Sequence, residues 1–192
     1  GNQAKRRMNS YLVRKTAFGP VAIAWQPSAR GAVVHRVFLS DAASPAEDKL
    51  RRAYPDAATA TCPDVRAIGA GIRALLAGAN VEFDLDLVDL DACPPFQRAV
   101  LRATHRIPRG RVSAYGILAA HLNKPGAARA VGNALADNPF PLLIPCHRVV
   151  RSDGQLGGFG GGSLLKQALL TLEGVETGGT GCRLAPPDRD LG

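Results

Sequence analysis

The 192-residue chain has no apolar run long enough to span a membrane and no signal-peptide pattern at its start, which together predict a cytoplasmic location. Its four cysteines, Cys62, Cys93, Cys146 and Cys182, are scattered, with no C-x-x-C pair and no regular spacing. Neither a zinc site nor a disulfide framework is indicated, and no metal or cofactor is expected. The glycine-rich run from Gly157 to Gly162 is not followed by the Gly-Lys-Ser/Thr ending of a phosphate loop, which sets nucleotide binding aside. Methionine occurs once, as Met8; Gly1 to Arg7 read as a leader, so Lys5, Arg6 and Arg7 are not counted as a functional patch. Acid is nearly missing from one long stretch: between Pro94 and Arg151 the only carboxylate is Asp137.

That stretch holds nine basic residues: Arg98, Arg102, Arg106, Arg109, Arg111, Lys124, Arg129, Arg148 and Arg151. The excess there equals the formal net charge of the whole protein, +8, so the rest of the chain sums to zero. A basic region this localised is the electrostatic footprint of a polyanion partner, with nucleic acid the default. The plainer reading is a solvated basic surface. Against it stands a chemically distinctive motif inside the same region.

Pro145-Cys146-His147-Arg148-Val149 sets a thiol beside an imidazole, in a segment too proline-rich for ordinary helix or strand. A thiol is a strong nucleophile only as thiolate, so a cation, a histidine or a helix N-terminus must pull its pKa down. Pro145 suits a chain turning into a short helix whose first turn holds the sulfur, with the helix dipole favouring the anion. A buried, inert cysteine is the alternative.

The pattern predicts an α+β protein. Tyr11 to Phe18 and Val21 to Trp25 read as a hairpin around Gly19-Pro20, with Gly31 to Leu39 a third strand. Ala46 to Ala53 reads as a short helix and Asp64 to Leu76 as a longer one ending before Gly78. Val81 to Leu90 alternates apolar and acidic residues, as a strand or extended linker would. Residues 1–91 therefore form a small α/β scaffold domain with no sign of chemistry. Residues 92–175 form a mostly helical domain. Pro95 to Arg106 is amphipathic; Ser113 to Leu122, the turn Asn123-Lys124-Pro125-Gly126 and Ala127 to Ala136 have the pattern of a helix-turn-helix. A tightly packed helix pair would look similar. Ser163 to Leu172 is the last helix, and residues 176–192, with Cys182, read as a flexible tail.

The segment from Asn138 to Val150 resembles the active-site signature of the O6-alkylguanine-DNA alkyltransferases. Four further blocks resemble that family in order and spacing: Phe96 to Leu101, Gly110 to Ala119, Ala127 to Gly132, and Gly161 to Gly174. The resemblance spans roughly Pro94 to Gly174. It implies a ribonuclease-H-like N-terminal domain and a helix-turn-helix that binds double-stranded DNA through the minor groove. It also implies stoichiometric, irreversible transfer of an alkyl group from O6-alkylguanine to the protein's own cysteine. Whether O4-alkylthymine is also repaired is left open.

By that resemblance Cys146 is the nucleophile, His147 takes its proton through a water, and Glu173 orients the imidazole. Asn138 is a hinge residue between the DNA-binding helices and the active site. Tyr115 assists rotation of the base out of the duplex, and Arg129 fills the gap it leaves. Lys124 and Ser152 touch the DNA backbone, the small residue Ala128 allows close approach to DNA, and Val149, Phe159 and Gly160 belong to the substrate pocket. Phe159 stands where a tyrosine often occurs, so ring packing is kept and a hydroxyl lost. The free protein is expected to be a monomer. Two other readings remain: a lesion binder that does not repair, although such proteins replace the cysteine, and a cysteine hydrolase, for which no oxyanion element is visible.

Overall fold

The computed structural model describes residues 10–178 and 181–182 of the chain. Residues 1–9, which contain the expected leader Gly1 to Arg7 and Met8, and residues 179–180 and 183–192 of the expected tail lie outside the described residues. The chain divides into two compact units, Gly1–Asp89 and Leu90–Gly192. No helix among the described residues is long and apolar enough to cross a membrane.

In the first unit β1 (Ser10–Arg14), β2 (Val21–Ser28) and β3 (Gly31–Leu39) form an antiparallel meander, and β4 (Ala58–Thr59) pairs parallel with β1, giving the order β3-β2-β1-β4. Strand alternation assigns each face a helix. Tyr11, Ala22 and Ala24 point to one side, where Ala46 and Leu50 of α1 (Ala46–Ala53) close a cluster over them. Leu12 points to the other, beneath α2 (Pro63–Leu76), whose Val65, Ile68, Ile72, Leu75 and Leu76 are buried. The approach is close at Gly69, where a Cβ would lie 3.3 Å from Leu12 Cδ2.

The stretch from Val81 to Leu90, expected to be strand or extended linker, forms no strand, and 3₁₀ turns interrupt its otherwise irregular course. Leu85–Leu87 and Leu90–Ala92 are single 3₁₀ turns, and only Val88 bridges to Val34. The reason is local: the Asp84 carboxylate accepts the amide of Asp86 at 2.9 Å, and such side chain to backbone bonds compete with a ladder.

The second unit begins with α3 (Pro95–His105), which packs on α5 (Ala128–Ala136), while α5 packs on α4 (Tyr115–His121). Gln97 fastens α3 to the end of α5 by donating to the carbonyls of Ala134 at 3.1 Å and Asp137 at 3.0 Å. Between α4 and α5 the chain turns through Asn123 and Gly126, both at positive φ. Val100, Leu101, Leu118 and Val131 are wholly buried among these helices; each such side chain contributes about 1.5–3 kcal/mol over leaving it in water.

From Phe140 to Val150 every residue is buried. This segment is anchored by the parallel pairing of β5 (Ser113–Ala114) with β6 (Val149–Val150), which sets the start of α4 beside the motif around Cys146. α6 (Ser163–Leu172) covers it, and Leu170 joins Val150, Leu156 and Val175 in a cluster. After it, β7 (Thr177–Gly178) pairs antiparallel with β8 (Gly181–Cys182). Within the span expected to be a tail, these two short strands form a small hairpin that reaches Cys182.

Candidate active site

Cys146 opens a single 3₁₀ turn, Cys146–Arg148, behind Pro145. The expected helix N-terminus is absent: one three-residue turn has too few aligned peptides for a useful macrodipole. The loop before it reverses tightly, with Leu142 at φ 74° and Cys146 N donating to Ile144 O at 2.8 Å. Asn138 holds that reversal from inside. Its Oδ1 accepts Phe140 N at 2.9 Å, its Nδ2 donates to Ile144 O at 3.3 Å, and its side chain also hydrogen-bonds the sulfur.

The sulfur's surroundings set its chemistry. Cys146 is 8% exposed, and burial pushes its pKa above the ordinary thiol value. The Asn138 bond, the charge of Lys166 and the amides of Cys146 and His147 pull the other way without winning. The expectation of a lowered pKa at rest is therefore overturned, because desolvation of an anion outweighs these hydrogen bonds and the lysine charge together. At neutral pH the group is a thiol and needs a base.

His147 is fully buried. Its Nε2 lies 2.9 Å from Glu173 Oε1, and its Nδ1 has no hydrogen-bond partner among the described residues. Burial lowers its pKa against the raising effect of Glu173, so the ring rests neutral with one nitrogen able to accept a proton. Glu173, which ends α6, is pulled by burial toward the neutral acid, but the hydrogen bonds and charges of His147 and Arg148 hold it down at about 2.

Arg148 supplies the charge that makes this possible. Its Nε donates to Glu173 Oε2 at 2.9 Å and its Nη2 to Oε1 at 2.8 Å, a bidentate pair, while Nη1 donates to Ile107 O at 2.7 Å. In the sequence Arg148 counted only as one of nine basic residues; nothing there distinguishes a buried ion-pair partner from a surface charge. Lys166 was also missed. It is fully buried, and its Nζ donates to Val149 O at 2.7 Å and Gly158 O at 3.3 Å and lies 6.0 Å from the Tyr115 ring centroid. A signal existed: Lys166 shares a helical face with Leu169 and Leu170, where a lysine is out of place.

Cys146 lines a cavity of about 610 Å³. Tyr115, Ala128, Arg129, Ser152 and Phe159 of the expected site residues line it too, together with Asn133 and Arg151, which sequence reasoning left out. His147 sits behind the wall, its ring edge-on to Phe159 at 6.3 Å between centroids. Burial raises the Tyr115 hydroxyl pKa, keeping it a donor. Val149, expected in the substrate pocket, is fully buried and contributes its carbonyl to Lys166. Gly160 does not line the cavity, and neither does Lys124, whose ammonium lies 5.9 Å from the Phe96 ring centroid. No group of three or more His, Cys, Asp or Glu among the described residues could hold a metal ion.

Residues 95–175 match the DNA-binding domain of the 6-O-methylguanine DNA methyltransferases. A methylated-DNA–protein-cysteine methyltransferase of Methanothermobacter thermautotrophicus is 48% identical over 108 residues, 56% of this chain and 60% of that protein. The chain thus spans under two thirds of that relative's length. The Mycobacterium bovis protein of the same name is 42% identical over 127 residues, 65% of this chain and 76% of the relative. Among solved structures, the Mycobacterium tuberculosis OGT in complex with DNA is similar at a TM-score of 0.68 and 32% identity, covering 85% of this chain and 92% of that one. The O6-methylguanine-DNA methyltransferase of Pyrococcus kodakaraensis is similar at a TM-score of 0.64 and 25% identity, over 86% of this chain and 99% of that one.

Proposed function

Because the chain belongs to the methylated-DNA–protein-cysteine methyltransferase family, we propose that it repairs DNA by moving the alkyl group of O6-alkylguanine irreversibly onto Cys146. The observation that carries this reading is a buried thiol on the wall of a cavity roomy enough to admit a nucleobase, backed by a neutral histidine with an acceptor nitrogen that has no partner among the described residues.

The thiol proton passes through one water to His147 Nδ1. Sulfur attacks the alkyl carbon, an S–C bond forms as the C–O6 bond breaks, and the bonding electrons leave with O6. The imidazolium formed in between faces Glu173 at 2.9 Å, which stabilises it without taking the proton. The departing guanine anion is held by a hydrogen bond from Tyr115 and takes up the proton that His147 gives back through water, so the thiol proton ends on the base. Because a thioether is not reversed by thiols, each molecule acts once.

The reacting carbon lies inside the duplex stack, so the base must be extruded, at a cost of a few kcal/mol. We read α4, its turn and α5 as a helix-turn-helix that enters the minor groove, with Arg129 filling the vacated stack, Ala128 allowing close approach, and Ser152 and Lys124 near the backbone. The first unit, residues 1–91 in this reading, is a ribonuclease-H-like scaffold, and residues 92–175 carry the chemistry in a monomer.

Mass spectrometry after mixing the protein with duplex DNA carrying one O6-methylguanine tests this. A single added methyl on the Cys146 peptide, absent in Cys146→Ser, is the expected result. Binding without a mass change would leave only a lesion binder.

A further inference from the structure

The rim of the cavity carries a cation with no assigned task. Arg151 lines the same cavity as Cys146, yet its side chain is 58% exposed, so the guanidinium sits at the mouth rather than beside the sulfur. Its backbone is fixed: Arg151 N donates to Gln155 O at 2.8 Å and Gly154 N returns a bond to Arg151 O at 2.9 Å. Among the described residues its side chain pairs with Asp153 Oδ2 at 3.3 Å, a pair 46% exposed on the acid side. Asp153 is itself pinned by Gln155 N, which donates to its Oδ1 at 3.0 Å. Exposed pairs of this kind are weak and readily exchanged for a better anion.

We propose that Arg151 grips the phosphate that travels with the extruded nucleotide, exchanging Asp153 for it when DNA binds. This rests on the reading that a base enters the cavity. Any base swung in through the mouth brings its flanking phosphates to the rim, whatever alkyl group it carries. An arginine suits that task, since its planar fork can meet two phosphate oxygens at once. The alternative target, an anionic alkyl group, would sit by Cys146, deep in the cavity, where the exposed guanidinium does not belong. Of the cations assigned to DNA by sequence, Lys124 does not line the cavity, and Arg129 lines it from α5. Arg151 therefore gives the strand that bears the flipped nucleotide its own anchor.

The test uses the full chain and an O6-methylguanine duplex. With Cys146→Ser as background to prevent reaction, binding is measured between about 50 and 200 mM salt. Arg151→Gln is expected to weaken binding about tenfold at the lower salt and to reduce the log–log salt slope by about 1, as loss of one phosphate contact requires. Arg151→Lys restores the slope but not the full affinity, and Asp153→Asn tightens binding severalfold. With Cys146 intact, the rate ratio of duplex to free O6-methylguanine base, which has no phosphate, falls in Arg151→Gln. An unchanged slope, or an equal loss with duplex and free base, overturns the proposal, because Arg151 would then act on the pocket and not on the backbone. Failure of the wild-type protein to gain any methyl would instead sink the repair reading itself.

Discussion

Replacing Gly157 by alanine should damage the site through one contact. A Cβ there would lie 2.4 Å from the Tyr115 hydroxyl oxygen and 3.2 Å from two atoms of its ring, and the residue has φ +73°. Ordinary contact needs about 3.4 Å or more, so Tyr115 must retreat by about 1 Å, and the left-handed backbone adds about 1–2 kcal/mol of strain. A displacement of that size in a positioning group costs on the order of 10²-fold in rate. Single-turnover methyl transfer from an O6-methylguanine duplex reads the rate, and thermal unfolding reads the strain. Two companions isolate the cause. Gly160→Ala, where a Cβ meets nothing within 4 Å, should change stability by no more than about 0.5 kcal/mol. Tyr115→Phe added to Gly157→Ala removes the worst clash and should recover stability but not rate. If Gly157→Ala transfers methyl at the wild-type rate, the assignment of Tyr115 to positioning the base is wrong.

Three further outcomes follow from the buried charges. Removing Arg148 as Arg148→Met leaves the Glu173 carboxylate without its bidentate partner and should destabilise the protein by about 3–5 kcal/mol in denaturant titration, whereas Arg148→Lys should recover only part. Glu173 has its folded-state pKa lowered from 4.5 to about 2, so its contribution to stability is full above pH 4.5 and is lost as pH falls toward 2. Glu173→Gln should therefore unfold with a flatter pH dependence across that window, and an unchanged slope would show the carboxylate is not the titrating group. Lys166→Met removes a positive charge that favours the Cys146 anion and releases the loop at Gly158. Methyl transfer should slow at neutral pH and recover partly as pH rises; uniform slowing at every pH would mean only that the loop had moved.

What the sequence revealed followed periodicity and turn chemistry. The third strand, α1, α2, α3 and α6 were readable within a residue or two because apolar spacing and Gly or Pro punctuation agreed; the first strand ends four residues before the expected Phe18 and the second runs three past Trp25. Val81 to Leu90 misled because Asp84 and Asp86 made an alternating pattern while also offering a local cap. At the site, Cys146, His147 and Glu173 were named from the resemblance to the family signature, and the last two lie 2.9 Å apart. The state of the thiol was not legible, since desolvation depends on what α6 and the loop before Cys146 bury. Arg148 and Lys166 were hidden for a related reason: composition counts a cation the same whether it faces water or a buried carboxylate. The positive φ of Leu142, a non-glycine residue, had no local signal at all.

The unbroken burial from Phe140 to Val150 also bears on time. On the proposed reading each molecule is consumed by one event and must keep its nucleophile intact until that event arrives. Peroxides and stray electrophiles react with exposed thiolates, and Cys146 offers them little surface and little anion. The wall that makes the sulfur a poor nucleophile at rest therefore also sets its shelf life. In a population of such molecules, capacity to answer damage is a stock of unreacted copies, and slow ageing of that stock is as much a property of the fold as the speed of the single reaction.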